Sequence, residues 1–236
     1  MARFESTHWS VVLAAASPPS SGASNALERL CASYWYPLYA YIRSRGVGPE
    51  DAHDLTQEFF ARLIEKGFLK DVRPEKGKFR TFLLASVNHF LSNEWDRAKA
   101  QKRGGHLQFL PLDFAQAEER HVRGAAHTLS PEALFERAWA MAVLDSVLSR
   151  LRDEYARAGK ESQFDHLKGV LVLGEGGASY RELGGEIGLS EGAVKVAVHR
   201  LRRRYRDLLL EEIAQTLAEG ENTEEELRHL MAALSG

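Results

Sequence analysis

The sequence predicts an all-α protein of two helical domains joined by a linker, the C-terminal domain containing a helix-turn-helix. Apolar residues recur at intervals of three and four along most of the 236 residues, which is the spacing of an amphipathic helix. Alternating patterns typical of strands are scarce, and two helical patterns near the C-terminus flank a glycine turn. A composition of 44% hydrophobic and 27% charged residues suits a globular chain with one large core or two small ones.

The first domain is predicted over residues 25–105, after a short N-terminal helix and a flexible segment in residues 1–24. Its first helix contains Pro37, which is expected to kink or split it because proline lacks a backbone N–H. A second helix begins near Pro49, since proline is favoured in the first turn of a helix. A third helix follows and runs into a basic stretch that a pair of glycines ends.

Weaker periodicity marks residues 106–130 as the linker, and the second domain is predicted over residues 131–217. It opens with a long helix, and a shorter helix is expected around residues 164–173. Residues 218–236 form an acidic tail with apolar residues at helical spacing. This tail helix is expected to dock on the second domain, and a further hypothesis is that its carboxylates also cover the cations of Arg202–Arg206.

Ser179 to Leu209 combine a capping box, a glycine turn and a basic helix. Ser179 and Glu182 form the capping box, Gly188 supplies the turn, and the second helix is amphipathic. The apolar stripe of this second helix faces the core, so its basic face can neutralise DNA phosphates. Nearby side chains can then read base edges in the major groove. The alternative is a solvated basic face on an ordinary core helix. The candidate DNA-binding residues are Ser190, Glu191, Gly192, Lys195, Val196, His199, Arg200, Arg203 and Arg204.

Three segments carry a resemblance to a known family. The stretch DAHDLTQEFFARL, residues 51–63, resembles the helix by which sigma factors bind bacterial RNA polymerase. FRTFLLASVNHFLSNEWDR, residues 79–97, is similar to the helix that melts and reads the promoter −10 element. Residues 179–209 are similar to the sigma domain that reads the −35 element. Two such domains without an intervening central domain are the layout of the extracytoplasmic-function (ECF) group.

The resemblance implies that core RNA polymerase and promoter DNA are the partners of this chain. It places the contact with the β′ clamp helices of the polymerase on Asp51, Asp54, Gln57 and Glu58, for which an ordinary solvated acidic face is the alternative. It places the −10 DNA contacts on Arg80, Asn88, His89, Asn93, Arg97, Lys99, Lys102 and Arg103. His53 stands where the family usually has Glu, so it removes a negative charge from the docking face. His89 stands where the family more often has Asn, so it alters the base contact.

Three residues of the first domain carry further hypotheses. Phe82 and Trp95 could stack on bases, with core packing as the alternative for each. Thr56 is a candidate phosphorylation site, because a phosphate there would restore the negative charge that His53 removes from the docking helix. The alternative is an unmodified threonine on the flank of that helix.

Catalytic and cofactor-binding patterns are absent from the sequence. The nine histidines show no paired metal spacing, and the glycine cluster at residues 174–177 lacks the ending of a phosphate-binding loop. We therefore expect no enzymatic activity, no metal and no cofactor. The single Cys31 fits a reducing compartment. No apolar stretch approaches the roughly 20 residues that cross a bilayer, and the N-terminus is a poor signal peptide, so a cytoplasmic protein without a membrane partner is expected.

The sequence thus predicts an RNA polymerase sigma factor of the ECF type, which directs core polymerase to specific promoters. The alternative is a stand-alone helix-turn-helix regulator whose first domain binds an effector or dimerises. An anti-sigma factor and a regulatory kinase stay open as further partners.

Overall fold

The structure is a computed structural model, and it describes residues 9–17, 21–100, 129–172, 179–218 and 221–235. All regular secondary structure within these ranges is helical, which confirms the predicted all-α fold class. No helix in the described ranges is long and apolar enough to cross a membrane. No group of three or more His, Cys, Asp and Glu side chains in the same ranges could hold a metal ion.

The helices follow one another as the sequence periodicity predicts, with short helical turns between α3 and α4. The helix predicted around residues 164–173 is two short helices. The bounds are α1 Trp9–Ala15, α2 Ser21–Ser44, α3 Pro49–Glu65, the 3-10 turns Phe68–Asp71 and Pro74–Lys76, α4 Phe79–Ala100, α5 Pro131–Arg157, α6 Glu161–Leu167, α7 Gly169–Val172, α8 Tyr180–Ile187, α9 Glu191–Ala214 and α10 Thr223–Ser235.

The chain divides into two compact units whose boundaries fall inside helices α5 and α9. The first unit comprises Met1–Ala142 and Ile213–Gly236, and the second comprises Val143–Glu212. The sequence-based division instead assigned residues 131–142 and 213–217 to the second domain. The sequence pattern does not show that side chains at the start of α5 and in the C-terminal helix pack in the first unit. The predicted linker, residues 106–130, lies almost entirely outside the described residues.

The first unit has a core of aromatic and branched residues from α2, α3 and α4. Tyr41, Leu63 and Leu83 are among its fully buried side chains. Helix α2 continues through Pro37 without a break in its assignment, so the expected split does not occur. Pro37 is itself buried, and the packing of α2 against α1 and α3 compensates the backbone hydrogen bond that proline cannot make.

The C-terminal helix α10 belongs to the first unit. Its Glu226 is 2% exposed and contacts Lys78 and Arg80 at the start of α4, while Leu230 is fully buried. The prediction that the tail docks on the second domain is therefore wrong. The amphipathic helix itself was foreseen correctly, but an apolar stripe does not reveal which core it covers. The buried carboxylate of Glu226 binds cations of the first unit and not those of Arg202–Arg206.

The second unit is built from the C-terminal part of α5, the short helices α6 to α8 and most of α9. Phe164 and Leu167 are buried, as are Leu183 of α8 and the inner face of α9. This core fixes the angle between α8 and α9, on which the exposed face of α9 depends.

Candidate nucleic-acid interface

Helices α8 and α9 and the turn between them have the local geometry of a helix-turn-helix. Ser179 Oγ accepts a hydrogen bond from the Glu182 amide at 3.3 Å, and Glu182 Oε2 accepts one from the Ser179 amide at 2.8 Å. Gly188 ends α8 with a φ of +69°, which disfavours side-chain-bearing residues. Ser190 Oγ then accepts from the Ala193 amide at 3.3 Å. The capping box and the turn are therefore as the sequence predicted.

The close approach of α8 to the turn depends on Gly184. The Leu189 amide donates to the Gly184 carbonyl at 2.9 Å. A Cβ atom on Gly184 would lie 2.5 Å from the Leu189 carbonyl oxygen, a separation that real Cβ atoms do not adopt. The sequence pattern placed Gly184 on the inner face of its helix, but only the structure reveals that a methyl group would not fit there.

The exposed face of α9 presents polar and apolar groups side by side. Glu191, Gly192, Lys195, Val196, His199, Arg200 and Arg203 are exposed, together with the capping residue Ser190, while Val194, Val198 and Leu201 are buried. Val196 is 50% exposed, so its methyl groups are available to a partner. Lys195 Nζ lies 2.8 Å from Glu191 Oε1, and this hydrogen bond raises the pKa of Lys195. Eight of the nine residues predicted to contact DNA thus lie where a DNA duplex could reach them.

Arg204 is the exception. Its Nε and Nη2 atoms bind both carboxylate oxygens of Glu154 at 2.8 and 2.6 Å, and Nη1 lies 3.3 Å from Glu211. The hydrogen bonds that Arg204 donates to Glu154 raise the pKa of Arg204 above its ordinary value. A bidentate ion pair of this kind fixes the guanidinium in place. Arg204 therefore ties α9 to α5 inside the second unit. Its side chain is still 40% exposed, so its contact with DNA stays a prediction.

The acidic face of α3 is only partly free. Asp51 and Asp54 are exposed, as predicted. Gln57 bonds to the His53 ring at 3.0 Å, and Glu58 pairs with Arg62 on the next turn. The same Arg62 donates to Glu94 of α4 at 2.6 Å, so Glu58 is part of a network that links two helices. The exposed carboxylates of this face are therefore those of Asp51 and Asp54, and Asp54 Oδ1 lies 3.5 Å from His53 Nδ1.

The structure places Thr56 in the core and not on the flank of α3. Its side chain is fully buried, and its hydroxyl donates to the Ala52 carbonyl at 2.6 Å. A kinase needs an accessible hydroxyl, so the hypothesis of phosphorylation at Thr56 does not fit this fold. The helical pattern wrongly predicted an accessible side chain, because Thr56 is polar but lies next to the apolar stripe. Its hydroxyl can be buried there because it donates a hydrogen bond to a carbonyl of its own helix.

The burial of Arg80 contradicts its prediction as a DNA contact. It is 3% exposed, with Nε 2.9 Å from Glu136 Oε2 and Nη1 2.6 Å from Glu226 Oε1. Its guanidinium carbon also lies 4.1 Å from the centre of the Trp139 ring. Burial alone would lower the pKa of Arg80, but the charges of Glu136 and Glu226 raise it. Arg80 is thus a buried structural cation and is not available to track DNA phosphates.

The other residues predicted for the −10 contact occupy two adjoining strips of α4. His89, Asn93 and Arg97 are exposed, with Arg97 Nη1 3.1 Å from Glu94. Asn88 is half-buried and accepts a hydrogen bond from Tyr41. The Lys99 side chain, Lys102 and Arg103 lie outside the described residues. The structure therefore brings four of the eight predicted residues to accessible positions on one helix.

The two aromatic candidates of α4 differ in their surroundings. Phe82 is half-buried and its ring centre lies 5.8 Å from that of Phe79. This supports core packing for Phe82. Trp95 is 36% exposed, and the guanidinium carbon of Arg45 lies 5.3 Å from the centre of its ring. Arg45 was missed by the sequence analysis because it lies far from α4 along the chain and belongs to no motif.

An acidic helix in one unit and a basic helix-turn-helix in the other are together the features of a helical transcription factor. A model of the sigma-70 region 2 family matches residues 32–101, which include α3 and α4. The chain is 28% identical over 167 residues to the ECF RNA polymerase sigma factor SigE of Mycolicibacterium smegmatis. This match covers 70% of the chain but 54% of the relative, so the chain spans about half of its length. No solved structure matches. Residues 32–101 are thus similar to sigma-70 region 2, and the chain is similar to an ECF sigma factor over 167 residues.

Proposed function

We propose that this protein is an ECF sigma factor, a subunit that binds bacterial core RNA polymerase and directs it to specific promoters. The observation that carries the proposal is the order of the chain: a sigma-70 region 2 over residues 32–101 precedes a capped helix-turn-helix. A sigma factor needs both parts, because one must hold the polymerase and the melted DNA while the other holds duplex DNA upstream. The protein itself catalyses no reaction in this proposal and acts in the cytoplasm with the polymerase.

Polymerase docking is assigned to the exposed carboxylates of α3. Asp51 and Asp54 are exposed and present negative charge, with His53 Nδ1 3.5 Å from Asp54 Oδ1, so a basic surface such as the β′ clamp helices would be attracted to them. Gln57 and Glu58 stay in the proposal as flanking contacts, although each has a partner within the chain. The network of Glu58, Arg62 and Glu94 holds α3 against α4, which couples the docking helix to the helix that would bind promoter DNA.

Promoter recognition is divided between α4 and α9. Asn88, His89, Asn93 and Arg97 of α4 would bind the unpaired strand of the −10 element through base edges and phosphates. Lys195, Val196 and His199 lie on the first turns of α9, the part of a recognition helix that meets base edges in the major groove. Arg200 and Arg203 follow and would neutralise phosphates of the −35 duplex.

A reconstituted transcription assay tests the proposal. The purified full chain and core polymerase, each alone and together, are incubated with a library of bacterial promoter fragments, and the transcripts are sequenced. We expect start sites that appear only when both proteins are present, and co-elution of the two proteins on gel filtration. Tight duplex binding by the chain alone, without co-elution and without new transcripts, would instead identify a stand-alone regulator.

A further inference from the structure

Helix α10 is held on the first unit by a small set of side chains. Of its 13 residues, Glu226 and Leu230 are buried, while Leu227 and Leu234 are half-buried. A helix of this length is marginal in water by itself, so its docking depends on these contacts. The match with sigma-70 region 2 ends at residue 101, and α10 lies outside it. Undocking of α10 should therefore cost less free energy than unfolding of the whole unit.

The polar contact of α10 is made with two cations at the start of α4. Glu226 Oε1 lies 2.6 Å from Arg80 Nη1, and Glu226 Oε2 contacts Lys78. Arg80 has a second carboxylate partner, because its Nε lies 2.9 Å from Glu136 Oε2. Undocking of α10 would return Glu226 and Lys78 to water and leave Arg80 with Glu136, so no buried charge would lose its last partner. The ion pairs thus allow α10 to leave while Arg80 stays buried.

Lys78 is the cation of this cluster that solvent reaches. Its side chain is 30% exposed, whereas those of Arg80 and Glu226 are 4% and 2% exposed. An anion that approaches the start of α4 would therefore compete with Glu226 for Lys78. Glu224 and Glu225 lie exposed in the first turn of α10, next to Glu226, and their charge repels a polyanion while α10 is docked.

We propose that α10 is an autoinhibitory helix of the first unit. Docked, it keeps Lys78 paired with Glu226 and holds two further carboxylates near the start of α4. When the polymerase brings promoter DNA to this unit, a DNA phosphate takes Lys78 from Glu226 and α10 undocks. DNA shifts this equilibrium because it binds the undocked form more tightly than the docked form. The inference rests on the proposed function, since it requires promoter DNA at the first unit.

Hydrogen–deuterium exchange of the full chain tests the undocking. The chain is measured alone, with core polymerase, and with core polymerase and a promoter fragment that the transcription assay has identified. We expect the amides of residues 227–235 to be protected in the first two states and to exchange about tenfold faster or more in the third. The buried amides of α2 are the internal reference and should not change. If α10 stays protected in a complex that makes transcripts, the inference is wrong and the sigma-factor proposal stands.

Two substitutions weaken the docking by different routes. Glu226→Gln removes the charge that holds Lys78, and Leu230→Ala removes the buried apolar contact without changing the charge. For both variants the affinity of the polymerase complex for the promoter fragment should rise about fivefold or more. Glu225→Gln is the matched control, because it removes one negative charge at an exposed position of the same helix. Its affinity should lie close to that of the wild type.

A gain in affinity separates autoinhibition from a purely structural role. If Glu226→Gln and Leu230→Ala lower the melting temperature and leave the promoter affinity unchanged or reduced, α10 is a fixed part of the first unit and the inference is wrong. If Glu225→Gln gains as much as Glu226→Gln, net charge explains the effect and the inference is again wrong. If the wild-type chain neither binds core polymerase nor initiates transcription, the sigma-factor proposal fails and this inference fails with it.

Discussion

Arg80 Nη1 lies 2.6 Å from Glu226 Oε1, so the start of α4 is joined to the C-terminal helix across 146 positions of sequence. Both side chains are almost fully buried, and Glu136 of α5 supplies the second carboxylate. Lys78 also contacts Glu226. Charges taken out of water are tolerated only when each has a partner, because the desolvation penalty is otherwise uncompensated. Glu226 of the C-terminal helix and Glu136 thus neutralise Arg80 together.

Glu226→Gln should destabilise the first unit by about 3 kcal/mol, since it leaves two cations with one buried carboxylate fewer. Glu225→Gln removes the same charge from the same helix at an exposed position, so its effect should stay within about 0.5 kcal/mol. Urea unfolding of the full-length variants, followed by circular dichroism, measures both. Equal effects of the two substitutions would contradict a structural role for the buried pair.

The same pair predicts a dependence of stability on pH. Although burial raises the pKa of Glu226, the charge of Arg80 and the hydrogen bond from Lys78 outweigh it and hold the pKa below the ordinary value of 4.5. A depressed folded-state pKa contributes stability above the unfolded-state value and loses it as the pH falls through the folded-state value. The difference in unfolding free energy between wild type and Glu226→Gln should therefore be full at pH 6 and shrink below about pH 4.5. A difference that stays constant down to pH 3 would exclude ionised Glu226 as its source.

Local patterns predicted the helix-turn-helix well because its signals are short-range. The capping box of Ser179 and Glu182, the glycine turn and the apolar stripe of α9 all lie within 31 residues, and each reports on its own neighbourhood. The exposed residues of α9 follow directly from that stripe. Asp51 and Asp54 were selected by the family resemblance and not by a local pattern, and both are exposed on α3.

Long-range pairing is what the sequence did not reveal. Arg80 and Arg204 read as basic residues beside DNA-binding motifs, yet their partners Glu226 and Glu154 lie 146 and 50 positions away. In the sequence, an arginine that binds DNA cannot be distinguished from an arginine in a buried ion pair. The difference becomes visible only when the position of the partner helix is known. Arg45 shows the converse, because its contact with Trp95 depends on how α2 crosses α4 and not on any local pattern.

Reversing the charge of the two exposed carboxylates of α3, as Asp51→Lys with Asp54→Lys, should weaken binding to core polymerase at least tenfold, because repulsion replaces attraction at a basic surface. Both residues are exposed, so the melting temperature should stay close to that of the wild type. Glu65→Lys, at an exposed position near the end of the same helix, is the control for nonspecific charge effects. Gel-shift or surface-capture titration with core polymerase measures the affinity. Parallel losses in the variant and its control would point to net charge and not to this face.

Arg203 and Arg204 are neighbours with different expected roles. Arg203→Ala should weaken binding of the polymerase complex to all −35 duplexes alike and reduce the slope of log affinity against log salt by about one. Arg204→Ala should leave that slope unchanged and lower the stability of the second unit by about 1 kcal/mol, since the pair with Glu154 is partly exposed. Salt-dependent titrations and thermal unfolding of the two variants separate the roles. A lower salt slope for Arg204→Ala would instead support its predicted contact with DNA.

Gly184 and Gly185 provide an adjacent pair with opposite expectations. Gly184→Ala places a methyl group 2.5 Å from the Leu189 carbonyl oxygen, so the turn must shift, and we expect a loss of about 1 to 3 kcal/mol in stability. Because that turn sets the angle of α9, duplex binding by the polymerase complex should weaken as well. Gly185→Ala meets no atom within 4 Å, and alanine stabilises a helix interior by roughly 0.5 to 1 kcal/mol over glycine. Thermal unfolding and −35 duplex titration of both variants are the measurements. If Gly184→Ala matched Gly185→Ala in both, the close approach of α8 to the turn would not constrain the DNA-reading helix.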